Sequence, residues 1–363
     1  MFTVKRVIKR RMVNGGMVRI GIAGTGSTFG IAHYHALGII RDGRACVSAV
    51  YSSSPEKAAK WVNDHNLTAR VCTSYEELLS ETDAVVICTP NSFHCEMALQ
   101  AMRADRHVLL EKPVAVRDGE CAVLREAFSN YRKVNMVGFT YRFSSAVETA
   151  RRIISDTIGE IYLFSAWLGG RRLADPSLPL EWRMRRDLSG SGALGDFGSH
   201  AVDLADFLCS QRYDEVSCMT GTCIEQRKNG NADADVENDD IALFMGKGKN
   251  GMGSFSMSRI GMVEPRFLVT GEGGLLEIDL AGDGHVSYME KKKGGGYSGE
   301  ARMIESGRHS GFREMIESQM SAFLDSIEGA GPPVADIAQG CYVASVLLAA
   351  EKSSLSACHM CVV

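Results

Sequence analysis

Val18-Arg19-Ile20-Gly21-Ile22-Ala23-Gly24-Thr25-Gly26-Ser27-Thr28-Phe29-Gly30 decides how the first half of this chain is read. Up to Ala23 the residues are apolar apart from one arginine, as in a strand covered on both faces. The glycines then break the strand, and a helical pattern follows through Ile31–Ile40. Strand, glycine turn and helix is the setting in which amides at a helix N-terminus hold a pyrophosphate. Gly24, Thr25, Gly26 and Ser27 are the candidate contacts there. Gly30 falls four residues after Gly26 instead of three, so the motif alone does not separate a dinucleotide site from an ordinary strand–helix turn.

The following elements extend the pattern. Cys46–Tyr51, Ala84–Cys88, His107–Leu110 and Val134–Gly138 read as strands. Helical stretches start at Ser54-Pro55-Glu56, follow Thr89-Pro90-Asn91 to about Met102, and follow Glu111-Lys112-Pro113 to about Asn130. Strands alternating with helices imply a parallel sheet, whose ligands bind at the carboxyl ends of the strands. Gly24, Ser52, Thr89 and Lys112 all fall at such ends. The second strand ends in Tyr51-Ser52-Ser53-Ser54, without the acid that usually holds a ribose 2′-hydroxyl in NAD sites. Ser52 and Ser53 can donate to a 2′-phosphate and Lys57 adds charge, which favours NADP over NAD; the alternative is that neither is strongly selected.

Composition bounds the rest. The chain has 363 residues, 45% of them hydrophobic, enough for two packed domains. A net charge of −4 shows no basic excess for nucleic acid. No apolar run approaches the ~20 residues of a membrane span. Eleven cysteines without framework spacing imply a reducing, cytoplasmic setting. Cys358-x-x-Cys361 is the one close pair, a metal or redox role there is the lesser reading, and no metal site is expected. Residues 1–16, with Lys5, Arg6, Lys9, Arg10 and Arg11, lack the apolar core of a secretion signal. They are expected to be disordered and to stand outside the fold.

In the second half, Ser144–Ile158 reads as a helix and Glu160–Leu168 as a strand. Residues 169–192 are irregular and carry Arg171, Arg172, Trp182, Arg183, Arg185 and Arg186, either lining an anionic or sugar site or forming a solvated loop. The small residues Gly190–Gly198 lead into a helix from Asp196 to Leu208. Asp196 and His200 are four apart and share a helix face. A carboxylate beside an imidazole fixes its tautomer and raises its basicity, as a general base requires; the plainer reading is a helix start capped by Asp196. Strand candidates are Val216–Ile224, Asp240–Met245, Met252–Ser258, Arg266–Thr270, Leu275–Leu280 and His285–Glu290. Asn229–Asp240 is rich in acids without calcium-loop spacing and reads as solvated. Helices close the chain at Phe312–Glu328 and Asp336–Ser354.

Six segments, in order, resemble the glucose–fructose oxidoreductase / inositol dehydrogenase (Gfo/Idh/MocA) family: Gly24-Thr25-Gly26, Thr89–His94, Glu111-Lys112-Pro113, Gly138–Phe143, Glu181-Trp182-Arg183 and Gly192–His200. The resemblance implies an α/β chain with an N-terminal Rossmann dinucleotide-binding domain over 17–138. An α+β domain over 139–363 follows, with a large open, mainly antiparallel sheet for substrate and oligomerisation, its last helix packed back on the body. It implies Lys112, Asp196 and His200 as catalytic residues. It places Thr89, Pro90, Asn91, His94, Glu111, Lys112, Trp182 and Arg183 with Gly24–Ser27, Ser52 and Ser53 around NADP or NAD. The activity implied is dehydrogenation or reduction of a sugar-like small molecule by a homodimer or homotetramer. His200 would move the hydroxyl proton, Asp196 would orient His200, and Lys112 would bind the reacting oxygen. An NAD-dependent glycoside hydrolase of the same fold and a non-catalytic cofactor-binding regulator are the alternatives.

Overall fold

The computed structural model describes residues 16–25, 30–261, 265–281, 284–299, 301–304 and 311–362. The basic residues 1–15, and Gly26 and Ser27 of the glycine turn, lie outside the described residues.

The first half runs β1 (Val18–Ala23), α1 (Ile31–Asp42), β2 (Ala45–Tyr51), α2 (Pro55–Asp64), β3 (Arg70–Val71), α3 (Tyr75–Ser80), β4 (Ala84–Ile87), α4 (His94–Arg103), β5 (His107–Leu110), α5 (Glu120–Phe128) and β6 (Asn135–Val137). Its strands form one parallel sheet in the order β3-β2-β1-β4-β5-β6. The order reverses between β1 and β4, which opens a crevice at their carboxyl ends, the Rossmann arrangement. All residues of β4 are buried, which is why it reads as an unbroken apolar run. Ser54 caps α2 as expected, accepting from the Lys57 amide at 3.3 Å. Sequence reading passes over β3 and α3, which are too short to show a period; Ser74 caps α3.

The second half runs α6 (Ser145–Ile153), β7 (Ile161–Gly169), α7 (Arg186–Ser189), α8 (Ala193–Cys209), β8 (Glu215–Gly221), β9 (Gln226–Asn229), β10 (Ala232–Asp235), β11 (Ile241–Gly248), β12 (Gly251–Ser258), β13 (Arg266–Gly271), β14 (Gly274–Asp279), β15 (His285–Glu290), β16 (Arg302–Ile304), α9 (Phe312–Ile327), α10 (Ile337–Ser356) and β17 (Met360–Cys361). Nine strands form one sheet, β16-β15-β14-β13-β7-β12-β11-β8-β17, antiparallel except at β7–β12. One face packs Phe164, Phe255, Met257 and Phe267 into a core shared with Ala201, Val202 and Leu204 of α8. The opposite face leaves Trp167, Met219, Leu243, Met245 and Met252 exposed. The closing helices return to the first half. Met320, Phe323 and Leu324 of α9 share a core with Ile20, Ile22 and Ile39, and α10 packs on α5 and α8.

All eleven cysteines are free thiols, Cys358 and Cys361 among the exposed ones. Among the described residues, no helix is long and apolar enough to cross a membrane, and no cluster of metal-ligating groups occurs.

Candidate active site

The crevice begins at the end of β1. Gly24 has φ +104°, and a Cβ there would lie 2.5 Å from the Cys88 carbonyl carbon and oxygen, so only glycine lets the two strand ends come this close. Thr25 Oγ1 beside it is buried and has no hydrogen-bond partner among the described residues. A tight glycine turn with an unsatisfied buried hydroxyl, at the switch point of a parallel sheet, fits a dinucleotide. At the end of β2, Ser52 is buried and Ser53 exposed. The Ser54 hydroxyl donates to Glu56 at 2.9 Å, so a carboxylate stands in the first turn of α2 even though the strand end carries none.

At the ends of β4 and β5, Asn91 Nδ2 reaches across to the Ser189 carbonyl at 3.0 Å. Thr89, Pro90 and Asn91 therefore sit where the first half meets the loop before α8. Two of the residues expected at the cofactor make hydrogen bonds within the protein. His94 is buried, with its ring nitrogens 2.7 Å from the Pro113 carbonyl and 2.9 Å from the Thr89 carbonyl, so it ties the two strand ends together. Glu111 is buried against Gly138, and its Oε1 lies 2.8 Å from Nε2 of the fully buried His35 on α1.

Helix α8 carries the centre of the site. Lys112 Nζ donates to Asp196 Oδ1 at 2.5 Å and to the Asp196 backbone carbonyl at 2.9 Å. Asp196 thus bonds Lys112 instead of the expected His200, because its carboxyl points across the domain junction to the end of β5. Burial works to raise the Asp196 pKa, but Lys112 and Arg183 outweigh it and hold the carboxyl well below the usual carboxylate range. His200 is buried, its Nδ1 has no hydrogen-bond partner among the described residues, and the Tyr141 ring lies against it at 4.6 Å between centroids. Burial, then the Lys112 charge, push the His200 pKa well down, against the opposing pull of Asp196, so the ring is neutral at neutral pH.

The N-terminus of α8 is held from the second sheet. Asp239 accepts from the Gly192 amide at 2.6 Å and the Leu194 amide at 2.8 Å, while its own carbonyl takes the Ala193 amide at 3.0 Å. A Cβ on Gly192 would lie 1.9 Å from that carbonyl. Asp240 binds the buried Arg259 at 2.7 Å. The acidic stretch expected to be solvated is therefore buried at its C-terminal end, and β10 within it pairs with β9 just before it.

The irregular stretch 169–192 forms one wall. Gly170 lies against Phe197, the neighbour of Asp196. Arg183 stacks over Trp182 at 4.3 Å. Its carbonyl receives Asn238 at 2.8 Å and Arg259 at 3.0 Å, which locks the Trp182-Arg183 turn in place. On the outer side, buried Arg227 of β9 donates to the carbonyls of Leu173, Asp175 and Leu178.

Several contributors, Asn238, Arg227 and Arg259 among them, carried no role in the sequence reading. His35 was detectable as a polar residue on the otherwise apolar stripe of α1, with Ala32, Ala36 and Ile39. Tyr141 lay within a quoted segment, but its contact with His200 comes from the turn after β6. Asp239 reaches α8 only through the register of the second sheet.

Family profiles match both halves: "Oxidoreductase family, NAD-binding Rossmann fold" over residues 18–139 and "GFO/IDH/MocA C-terminal domain" over 147–277. Levoglucosan dehydrogenase of Pseudarthrobacter phenanthrenivorans is 35% identical over 167 residues, 45% of this chain and 43% of that protein. Glucose-6-phosphate 3-dehydrogenase of Bacillus subtilis is 28% identical over 238 residues, 64% of this chain and 65% of that one. The chain thus spans about half to two thirds of the length of these relatives. The crystal structure of an oxidoreductase domain protein from Kribbella flavida superposes with a TM-score of 0.87 at 26% identity, covering 96% of this chain and all of that one.

Proposed function

The chain belongs to the Gfo/Idh/MocA family of NAD-binding oxidoreductases, and from that premise we propose that it transfers hydride reversibly between a nicotinamide dinucleotide and a secondary alcohol or ketone of a sugar, cyclitol or related small molecule. The observation that carries this reading is the meeting of Lys112, Asp196 and His200 at the carboxyl edge of the parallel sheet, on the side where Gly24 and Thr25 form a dinucleotide turn. The nicotinamide supplies the hydride acceptor or donor. Gly24, Thr25, Ser52, Ser53, Thr89, Pro90 and Asn91 line the edge that holds it, with Gly26 and Ser27 as the sequence places them, and with Trp182 and Arg183 closing the far side. His94 and Glu111 support that edge from within.

The protein's own work is to hold and move one proton. Neutral His200 accepts the hydroxyl proton in oxidation and returns it in reduction. The Lys112 ammonium, fixed by Asp196, donates to the reacting oxygen and stabilises developing alkoxide charge. Asp196 acts through Lys112. The relatives named above carry one neutral and one phosphorylated sugar in their names, so membership alone leaves the substrate's charge open. The exposed apolar side chains on the open sheet face suit pairing with a second copy of the chain, as a dimer or tetramer. The strand end at Ser52 and Ser53 favours NADP, and Glu56 in the next turn opposes it.

The test is turnover with NAD and NADP in parallel against a panel of sugars, anhydrosugars and cyclitols, followed by nicotinamide absorbance. Net cofactor reduction by a free alcohol supports the reading. Release of sugar from a glycoside without net redox would replace it with the hydrolase. Cofactor binding without either reaction would point to a regulator.

A further inference from the structure

The proton transfer proposed above needs His200 held in one orientation, and the carboxylate on its own helix does not hold it: Asp196 is bonded to Lys112. His200 Nδ1 has no hydrogen-bond partner among the described residues. What lies against the imidazole is the Tyr141 ring, 4.6 Å away between centroids and tilted by 56°. Tyr141 belongs to the turn Thr140–Phe143 that follows β6. Both of its neighbours in that turn are anchored. Before it, buried Thr140 donates from Oγ1 to Oε1 of the buried Gln319 on α9 at 3.1 Å. After it, Arg142 grips Asp203 with two nitrogens, Nε to Oδ2 at 2.7 Å and Nη2 to Oδ1 at 2.6 Å, and gives Nη1 to the Val334 carbonyl at 2.7 Å. The side chains of this pair are 7% and 1% exposed. Gln339 of α10 adds a donor to Asp203 at 3.1 Å, and the guanidinium stacks over the Phe207 ring at 4.5 Å.

We propose that Tyr141 covers and orients the His200 imidazole, and that the Arg142–Asp203 pair fixes Tyr141 there, so that these side chains act as positioning residues for the proton transfer. The role given to His200 rests on the hydride-transfer reading; the placement of its ring rests on the contacts alone. Asp203 lies three residues after His200 on α8, one turn further along the same helix face. A bidentate guanidinium–carboxylate contact fixes direction as well as distance. Residue 142 is therefore registered to the helix that carries His200, and Tyr141, one residue earlier, is set over the imidazole. Burial, then the Asp196 charge, push the Tyr141 hydroxyl pKa up to about 12, so the phenol stays neutral. The charges that act on His200 are Lys112 from the end of β5 and Asp196 from its own helix. What a neutral Tyr141 adds is shape and exclusion of water, and exclusion of water disfavours the imidazolium. An aromatic ring does this with or without its hydroxyl.

Two measurements on the whole protein test this. The first needs no turnover: the His200 ring protons are titrated by NMR in wild type, Tyr141→Phe and Tyr141→Ala, and are assigned by their absence in His200→Gln. Tyr141→Phe keeps the ring and should titrate as wild type. Tyr141→Ala admits water and should titrate higher, towards the usual histidine value. The second is turnover: kcat should fall at least about tenfold in Tyr141→Ala and stay within about threefold of wild type in Tyr141→Phe, with cofactor affinity unchanged in both. An unshifted His200 in Tyr141→Ala overturns the proposal. So does a Tyr141→Phe that behaves like Tyr141→Ala, which would give the role to the hydroxyl. Arg142→Lys keeps the charge and loses the fork, so its His200 should also titrate higher than wild type. A wild-type titration in Arg142→Lys overturns the proposal, and this variant decides the matter if Tyr141→Ala does not fold. Absence of turnover with every sugar would defeat the hydride-transfer reading, while the NMR titration would still decide whether Tyr141 sets the His200 ring.

Discussion

Lys112 Nζ is bonded to Asp196 twice, through the carboxylate at 2.5 Å and through the backbone carbonyl at 2.9 Å. The lysine comes from the end of β5 and the aspartate from the first turn of α8, so this one pair stitches the cofactor sheet to the helix that carries His200. The side chain of Lys112 is 14% exposed and that of Asp196 49%, so the ammonium is enclosed while its partner still opens on the cleft. An ammonium held on two oxygens keeps a third N–H for a reacting oxygen.

Lys112→Met should lower kcat by ~10²–10⁴-fold while cofactor affinity stays within a few-fold. Asp196→Asn keeps the backbone carbonyl and an amide oxygen, so it should cost less than Lys112→Met. Steady-state rates beside a fluorescence titration of cofactor separate the two effects. Wild-type kcat in Lys112→Met would remove the lysine from the chemistry.

The His200 pKa can be followed without turnover, through its ring protons in NMR. Burial and the Lys112 charge lower it, and Asp196 raises it. The signs therefore differ between variants: Lys112→Met should move the His200 titration up towards the usual histidine value, and Asp196→Asn should move it further down. In wild type, oxidation depends on the neutral ring, so the acid limb of kcat/KM should lie below the ordinary histidine pKa. A limb at or above that value would show that His200 is not the base.

Asp239→Ala leaves the Gly192 and Leu194 amides without their acceptor at the start of α8. The expected loss is about 1–3 kcal/mol of stability, as for a removed helix cap whose amides are buried. Asp239→Asn retains an acceptor oxygen and should recover part of the loss. Denaturant unfolding of both variants measures this, and equal midpoints for wild type and Asp239→Ala would mean that the helix start is held by other contacts.

The parts of this fold that follow a local period were legible in the sequence, and the parts that depend on the meeting of distant strands were not. The unbroken apolar run of β4, the Ser54-Pro55 start of α2 and the alternation along β11 each reflect residues within one element. The segments single out Lys112, Asp196 and His200, but not which of them pair: the structure joins Asp196 to Lys112. Helix spacing puts Asp196 and His200 on one face, and only the packing of α8 against the end of β5 shows that the carboxylate turns to the lysine. Asp239 and Asp240 show the same limit. Five acids in twelve residues look solvated until the register of β11 carries the last two under α8 and against Arg259.

Arg227 gives the last prediction, because its charge is held without a carboxylate. It is 3% exposed and spends its terminal nitrogens on the carbonyls of Leu173, Asp175 and Leu178, while its Nε has no partner among the described residues. Those carbonyls belong to the stretch that carries Arg172 and Glu181, and the Leu180 amide bonds the Lys228 carbonyl beside them at 2.7 Å. Arg227 therefore holds from within the stretch proposed above as a wall of the site. Arg227→Met keeps much of the apolar stem and removes the donors; Arg227→Lys offers one ammonium that cannot span carbonyls gripped by a planar fork. Both should raise KM for the sugar, by about tenfold in the methionine variant, with cofactor affinity unchanged and kcat lowered less than kcat/KM. A general loss of folding would weaken cofactor binding as well, so an unchanged cofactor titration beside a raised sugar KM isolates the wall. If the sugar KM of Arg227→Met equals that of wild type, the wall is positioned by Arg259 and Asn238 alone.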